Sequence, residues 1–309
     1  ARGTRARRFW QRRDISFQGY VHDLLALTNN APKSVSVVIP NYNYARYLPE
    51  RIDSVLRQTH PISELIILDD ASTDASQSVI ERKLSEIDIP VTYVGNDQNS
   101  GSVFKQWLKG AEIAKGEFIW IAEADDLADP GFLAEALQGF DADDVVLSYT
   151  ESKQIDETGC VLSDNYHRYV EDISTTRWLS DYVRSGAEEI ETALSIKNTI
   201  PNVSAVVFKR ENFLTSITDN LEQISGYRVA GDWCTYVHLL QTGSCAFRSK
   251  PLNFHRRHSC SVTISKFSEQ ELNEIVRMQA FVEDNFDVGT VSKTKAAAYT
   301  KILKARLAS

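Results

Sequence analysis

Five short apolar runs, at residues 35–39, 65–68, 91–94, 118–122 and 145–149, punctuate the first half of this chain. Runs of four or five residues have the length of buried strands. The segments between them place apolar residues at helical spacing: Leu48, Ile52, Val55 and Leu56; then Val79, Ile80 and Leu84; then Phe104, Trp107, Leu108 and Ala111. Such alternation admits few folds. It predicts an α/β architecture, Rossmann-like, with a mostly parallel central sheet and helices on both faces. The fourth run is nearly all apolar, as a central strand buried on both faces should be. The first strand is expected to close at Pro40, Asp74 to cap the second helix, and Pro130 to sit in the first turn of a helix ending near Gln138.

After Tyr149 the rhythm stops. Residues 150–164 read as a hairpin around Glu157-Thr158-Gly159, 204–208 as a strand, 232–241 as a helix and 244–254 as extended chain. C-terminal helices start at Ser268 and break near Asp287-Val288-Gly289. No Pro/Gly linker separates the halves. The expected layout is a basic helical extension or linker at 1–33, one domain at 34–265 that changes character at 150, and a helical tail at 266–309.

The 309 residues are 42% hydrophobic and 25% charged, an ordinary globular balance that can bury a core without disulfides. Cys160, Cys234, Cys245 and Cys260 form no C-x-x-C pair, which argues for thiols in a reducing compartment and against zinc. A net charge of −8 argues against a general nucleic-acid binder. Arg2, Arg5, Arg7, Arg8, Arg12 and Arg13 nonetheless crowd the start. They read as a solvated tail or linker helix, or as a peripheral contact with anionic lipid. No apolar run has the length of a membrane span, and neither a signal peptide nor an initiator Met is present. The chain therefore reads as an excerpt, with further domains expected in the full-length protein.

Two acidic clusters follow strand-type runs: Asp69-Asp70-Ala71-Ser72-Thr73-Asp74 and Glu123-Ala124-Asp125-Asp126. In open α/β sheets ligands bind beyond the carboxyl ends of the strands. Mg²⁺ and Mn²⁺ take oxygen ligands and are often held by one or two carboxylates plus substrate phosphates. Asp125 and Asp126 suit that task, with Glu123 on the same side as Asp125 if the strand continues; a capping turn is the plainer reading. An ionised carboxylate at Asp69 or Asp70 could accept the imide N–H of a uracil or thymine base.

Order and spacing of several segments resemble family 2 glycosyltransferases of the GT-A fold, of the bacterial polysaccharide-biosynthesis type. These segments are Val35-Ser36-Val37-Val38-Ile39-Pro40-Asn41-Tyr42-Asn43, Ser54-Val55-Leu56-Arg57-Gln58-Thr59, Leu68-Asp69-Asp70-Ala71-Ser72-Thr73-Asp74, Ala114-Lys115-Gly116-Glu117-Phe118-Ile119 and Ala124-Asp125-Asp126. The likeness is strong over residues 34–140 and weaker at Gly231-Asp232-Trp233 and from His255-Arg256-Arg257-His258 onward. It implies that 34–150 is the nucleotide-binding half and 151–265 the acceptor half. It implies that Pro40, Asn41 and Tyr42 line the base pocket and that Asp70, with Asp69 beside it, binds the base. Asp126 would be the main ligand of a Mn²⁺ or Mg²⁺ ion, with Asp125 near the ribose or sugar. Asp232 would be the general base, although an N-cap role also fits it. His258, then Arg257, are the preferred cation or further metal ligand in the basic run. Lys105 would contact the diphosphate or belong to the polar face of its helix, and Trp107 reads as core.

The expected activity is metal-dependent inverting transfer of a sugar from a nucleotide-diphosphate donor, UDP favoured, to a glycan or lipid-linked acceptor in surface polysaccharide synthesis such as O-antigen or capsule. The setting would be cytoplasmic, at the inner face of the cytoplasmic membrane. The competing reading is a non-catalytic scaffold or carbohydrate-binding domain of a larger assembly; Asp70, Asp126 and Asp232 together argue against it. A phospho-receiver domain fits the length and the second cluster badly. A nucleotidyltransferase would need a Gly-rich basic loop where Asn41-Tyr42-Asn43-Tyr44 stands.

Overall fold

The parallel core expected from the apolar runs is present in the computed structural model, which describes residues 32–257 and 267–308. The described strands are β1 (Val35–Asn41), β2 (Glu64–Asp69), β3 (Val91–Gly95), β4 (Phe118–Ile121), β5 (Leu127–Ala128), β6 (Val145–Ile155), β7 (Val161–Ser163), β8 (Tyr182–Ser185), β9 (Val206–Lys209) and β10 (Ser244–Arg256). They form one sheet in the order β3-β2-β1-β4-β9-β6-β10-β5, with β7 beside β6 and β8 beside β10. Strands β3, β2, β1 and β4 are mutually parallel, as are β6 and β10, while β9 runs against both β4 and β6.

Period-two alternation sorts the strand residues onto two cores. Val38, Ile66, Leu68, Ile119 and Ile121 face one. Val35, Val37, Ile39, Leu65, Ile67 and Trp120 face the other. Helices α1 (Leu48–Leu56), α2 (Ser76–Leu84) and α4 (Phe132–Gln138) cover the second face through residues such as Ile52, Ile80 and Phe132. Helix α3 (Val103–Ile113) covers the first with Phe104, Trp107 and Ala111. On the same side lie α5 (Arg210–Ser225), α6 (Gly231–Leu239) and the tail helix α7 (Glu269–Asn285); α8 (Thr290–Leu307) follows α7. The described residues from Val35 onward form one compact unit. The basic stretch over residues 1–13 lies outside the described residues.

Several expectations need adjusting. Strand β1 does not stop before Pro40 but runs to Asn41, with Pro40 opposite Leu68. The β1–β4 ladder ends at Val38, so Pro40 sits where β1 keeps one neighbour and an absent N–H does no harm. Asp74 serves the start of α2 from one residue further out: Oδ1 accepts from Ser76 N at 2.9 Å, while Oδ2 accepts from Ala45 N at 2.9 Å and ties two loops together. Pro130 precedes α4 and its N-cap Gly131 rather than joining the first turn. Residues 203–205 form a 3₁₀ turn, so β9 starts only at Val206. Helix α5 is the element that periodicity does not single out. Thr215, Ser216, Thr218 and Asp219 are weak helix formers, and burial of Phe213, Ile217 and Ile224 overrides them. No helix among the described residues is long and apolar enough to cross a membrane. Cys160, Cys234 and Cys245 are free thiols.

Candidate active site

The chain steps from β1 outward through β2 and β3, then returns to the opposite side of β1 at β4. That reversal leaves a crevice between the carboxyl ends of β1 and β4, where open α/β sheets bind ligands. A cavity of about 510 Å³ opens there, within the range of small-molecule sites. Pro40, Asn41 and Tyr42 line it from β1; Asp70 from the β2 loop; Glu123, Asp125 and Asp126 from the β4 loop; Asp232 from α6. These residues come from strand and helix ends up to some 190 positions apart.

Asp70 is 5% exposed. Its Oδ1 accepts from Asn96 Nδ2 (2.6 Å), Ser100 N (2.9 Å) and Gln106 Nε2 (2.9 Å), and Oδ2 accepts from Ser100 Oγ (2.7 Å). Oδ2 keeps lone-pair capacity for a ligand N–H. Asp69 does not line the cavity. Its carboxylate accepts from Asn41 Nδ2 and Ser72 Oγ, both at 2.6 Å, and so fixes the turn that aims Asp70. Ala71 makes that turn with φ of 60°, a left-handed conformation that costs an L-residue energy. Tyr42 is 46% exposed at the rim, an aromatic face open to stacking.

Asp126 is 3% exposed. Oδ1 accepts from the Arg256 backbone N and Oδ2 from Asn202 Nδ2, each at 2.8 Å. Strand β4 has ended before Glu123, whose Oε1 accepts from Trp107 Nε1 at 2.9 Å. Trp107 is therefore core and cavity lining at once. Burial, then the nearby Asp125 charge, push the Glu123 carboxyl up to about 8. Asp232 stands at the start of α6. Oδ1 accepts from Trp233 N (2.7 Å) and Oδ2 from Asn198 Nδ2 (3.0 Å), and burial pushes its carboxyl up to about 7.

The described part of the basic run divides at the end of β10. Arg256, the last residue of β10, points inward and is 2% exposed. It binds Asp125 O through Nε at 2.7 Å and Glu50 through an η nitrogen at 3.0 Å. His255 also lines the cavity, and the Tyr166 hydroxyl meets its Nδ1 at 2.5 Å. Arg257, just past the end of β10, is not among the lining residues. Lys105 is exposed, and its Nζ donates to Ser100 O at 3.0 Å rather than reaching the cavity. His258 lies outside the described residues. Sequence reasoning missed Asn202, Gln106 and Arg256 as partners of the acids. No spacing rule links them to Asp70 or Asp126, because only the folded sheet brings them together.

Among the described residues no three His, Cys, Asp or Glu side chains form a closed metal-binding set. The donor set still fits Mg²⁺ or Mn²⁺. Both ions keep waters and substrate phosphates and need one or two protein carboxylates. Asp126 and Asp125 offer hard oxygens at the cavity wall.

A family model described as glycosyl transferase family 2 matches residues 36–193, just over half of the chain. A glycosyltransferase of Nostoc sp. is 39% identical over 113 residues, covering 36% of this chain and 34% of that protein. TuaG of Bacillus subtilis, a glycosyltransferase assigned by name to teichuronic acid biosynthesis, is 27% identical over 221 residues, 72% of this chain and 77% of its own. Among solved structures, Staphylococcus aureus TarS (1–349) in complex with UDP-GlcNAc aligns with a TM-score of 0.57 at 19% identity, covering 89% of this chain and 71% of that one. The mannosyltransferase PcManGT of Pyrobaculum calidifontis in complex with GDP-Man and Mn²⁺ aligns at 0.59 and 19%, covering 89% and 72%. At such identity the structural likeness speaks for the fold, which is GT-A.

Proposed function

Because the chain belongs to glycosyl transferase family 2, we propose that its cleft performs inverting transfer of a sugar from a nucleotide-diphosphate donor to an acceptor hydroxyl. One observation carries this reading: Asp70, Asp125, Asp126 and Asp232, widely separated in sequence, all line a single cavity at the switch point of the sheet.

In the proposed roles, Tyr42 stacks on the base, Pro40 and Asn41 form its floor, and Asp70 accepts its N–H. Asp126 holds a divalent ion with Asp125 beside it near the ribose or sugar. A bound ion would supply positive charge for the departing diphosphate. Asp232 takes the acceptor proton as that oxygen attacks C1. The C1–O bond to the diphosphate breaks, and its electron pair leaves with the phosphate. A carboxyl poised at about 7 is matched to this task near neutral pH. Mn²⁺ is supported by the PcManGT complex and a UDP donor by the TarS complex. TuaG favours an acceptor in cell-surface polysaccharide synthesis. A lipid-linked acceptor would bring the enzyme to the inner face of the cytoplasmic membrane, with the basic residues 1–13 as a peripheral contact. Domain limits at 33/34 and 265/266 belong to the same proposal.

A screen of nucleotide sugars for protection against thermal unfolding, with and without Mn²⁺, tests the donor. Hydrolysis of the selected donor should disappear in Asp126→Ala. No protection by any nucleotide, or hydrolysis undiminished in Asp126→Ala, would refute the reading.

A further inference from the structure

A cation that the chemistry above does not use lies within α1. Arg51 is 0% exposed. None of its three guanidinium nitrogens has a hydrogen-bond partner among the described residues. The guanidinium lies 4.8 Å from the centroid of the Trp120 ring, and Trp120 is itself pinned by Nε1 donating to Ser204 O at 2.8 Å. Burial lowers the Arg51 pKa to about 10, and the charges that oppose this are Asp126, Asp125 and Glu123. It therefore remains a cation at neutral pH.

A buried charge with no direct partner is expensive, and Leu or Met would fill the same space more cheaply. The neighbours of Arg51 on α1, Leu48, Ile52 and Val55, are the apolar residues expected on such a face. The ring face offsets part of the cost. The acid turn begins three residues after Trp120, and Glu123 N donates to the Oγ of the same Ser204 at 3.1 Å, so the field of the three acids is the remaining source of compensation.

We propose that Arg51 is the internal counter-cation of the Glu123–Asp125–Asp126 cluster, a positioning residue that holds the metal-free turn together and limits how tightly the cluster takes a divalent ion. The second half of this statement rests on the donor-site reading of the cleft; the first half does not. Two measurements test it. In urea unfolding without metal, at pH 9, Arg51→Met should be destabilised, and Glu123→Gln should stabilise the Arg51→Met background by more than it stabilises wild type. The gain is larger there because Glu123→Gln removes one of the acids left uncompensated. An equal gain from Glu123→Gln in the wild-type and Arg51→Met backgrounds overturns the counter-cation. Free Mn²⁺, followed by its paramagnetic resonance at pH 7.5, should then show about tenfold tighter binding to Arg51→Met than to wild type. Arg51→Gln serves as the neutral variant where Arg51→Met does not fold. Arg51→Lys, which keeps the charge, should bind as wild type does. Equal Mn²⁺ affinity in the neutral variant and wild type overturns the limit on metal binding. If wild type takes up no Mn²⁺ at all, the metal half falls together with the metal-dependent reading of the cleft, while the urea comparison still decides the rest.

Discussion

Asp232 links burial to chemistry most directly. An exposed aspartate titrates near 3.9, whereas burial holds this one at about 7. A base must be deprotonated to accept a proton, so the acid limb of kcat/KM should bend near pH 7. Asp232→Asn should lower kcat by about 10²–10⁴-fold with little change in donor KM. A limb unmoved by the substitution, or an active Asp232→Asn enzyme, would remove Asp232 from the mechanism. The same shift has a consequence for stability. The folded-state pKa lies above the unfolded one, so the folded chain binds the proton more tightly. Its stabilising effect is complete below about pH 4 and is lost as pH rises through 7. Relative to Asp232→Asn, wild type should therefore weaken between pH 4 and pH 8 in urea titrations. Ala71 carries a different strain. Its φ of 60° holds the turn that presents Asp70, and glycine adopts that conformation without penalty. Ala71→Gly should raise stability by up to about 1 kcal/mol, or leave it unchanged if the extra chain entropy cancels the relief. A loss beyond 1 kcal/mol would mean that Ala71 is not strained.

At the scale of elements, the acids depend on close approaches between helices and strands. A Cβ on Gly231 would lie 2.2 Å from Phe104 Cζ and 2.9 Å from Ile224 O, so α6 can start against α3 and α5 only with glycine there. Gly231→Ala should displace the start of α6 and lower kcat at least tenfold, while the Mn²⁺ binding proposed for Asp126 stays near wild type. Parallel loss of metal binding would show general unfolding instead. Strands β1, β2, β3, β4 and β6 and the helices between them were legible in sequence because each strand opens on a short, largely apolar run and each helix carries a stripe. The acids were legible because carboxylates at strand ends have few structural reasons to be there. Helix α5 was not, since its polar, β-branched interior contradicts its packing. Nor were the donors that hold the acids: Asn202 reaches Asp126 across 76 positions and Arg256 across 130. Such pairs are a property of the sheet order, in which β9 and β10 lie on either side of β6, beside strands formed much earlier in the chain. In the basic run, His255 and Arg256 line the cleft while Arg257, past the end of β10, does not, a boundary that the sequence leaves open.

Across the whole molecule, the tail is coupled to the catalytic cleft. Glu274 on α7 is 7% exposed. Its Oε2 accepts from the backbone N–H groups of Arg228 (2.9 Å), Val229 (2.8 Å) and Ala230 (3.2 Å), and Oε1 from Arg228 N at 3.0 Å. Arg228 and Val229 line the cleft, and Ala230 is the N-cap of the helix that carries Asp232. A negative charge placed there both satisfies orphan amides and suits the positive end of a helix. The tail thus fixes one wall of the site from behind, some 40 residues downstream of Asp232. Glu274→Ala would strand three N–H groups and should cost about 2–4 kcal/mol in stability. Below its lowered melting point it should also raise donor KM and lower kcat together, because the 228–232 segment loosens as a unit. Glu274→Gln keeps one acceptor oxygen and should recover part of both losses. If α7 were only packing, Glu274→Ala would lower the melting temperature while the folded fraction kept wild-type kinetics, and Glu274→Gln would rescue nothing beyond stability. Initial rates at a temperature where all three proteins are folded distinguish the two cases.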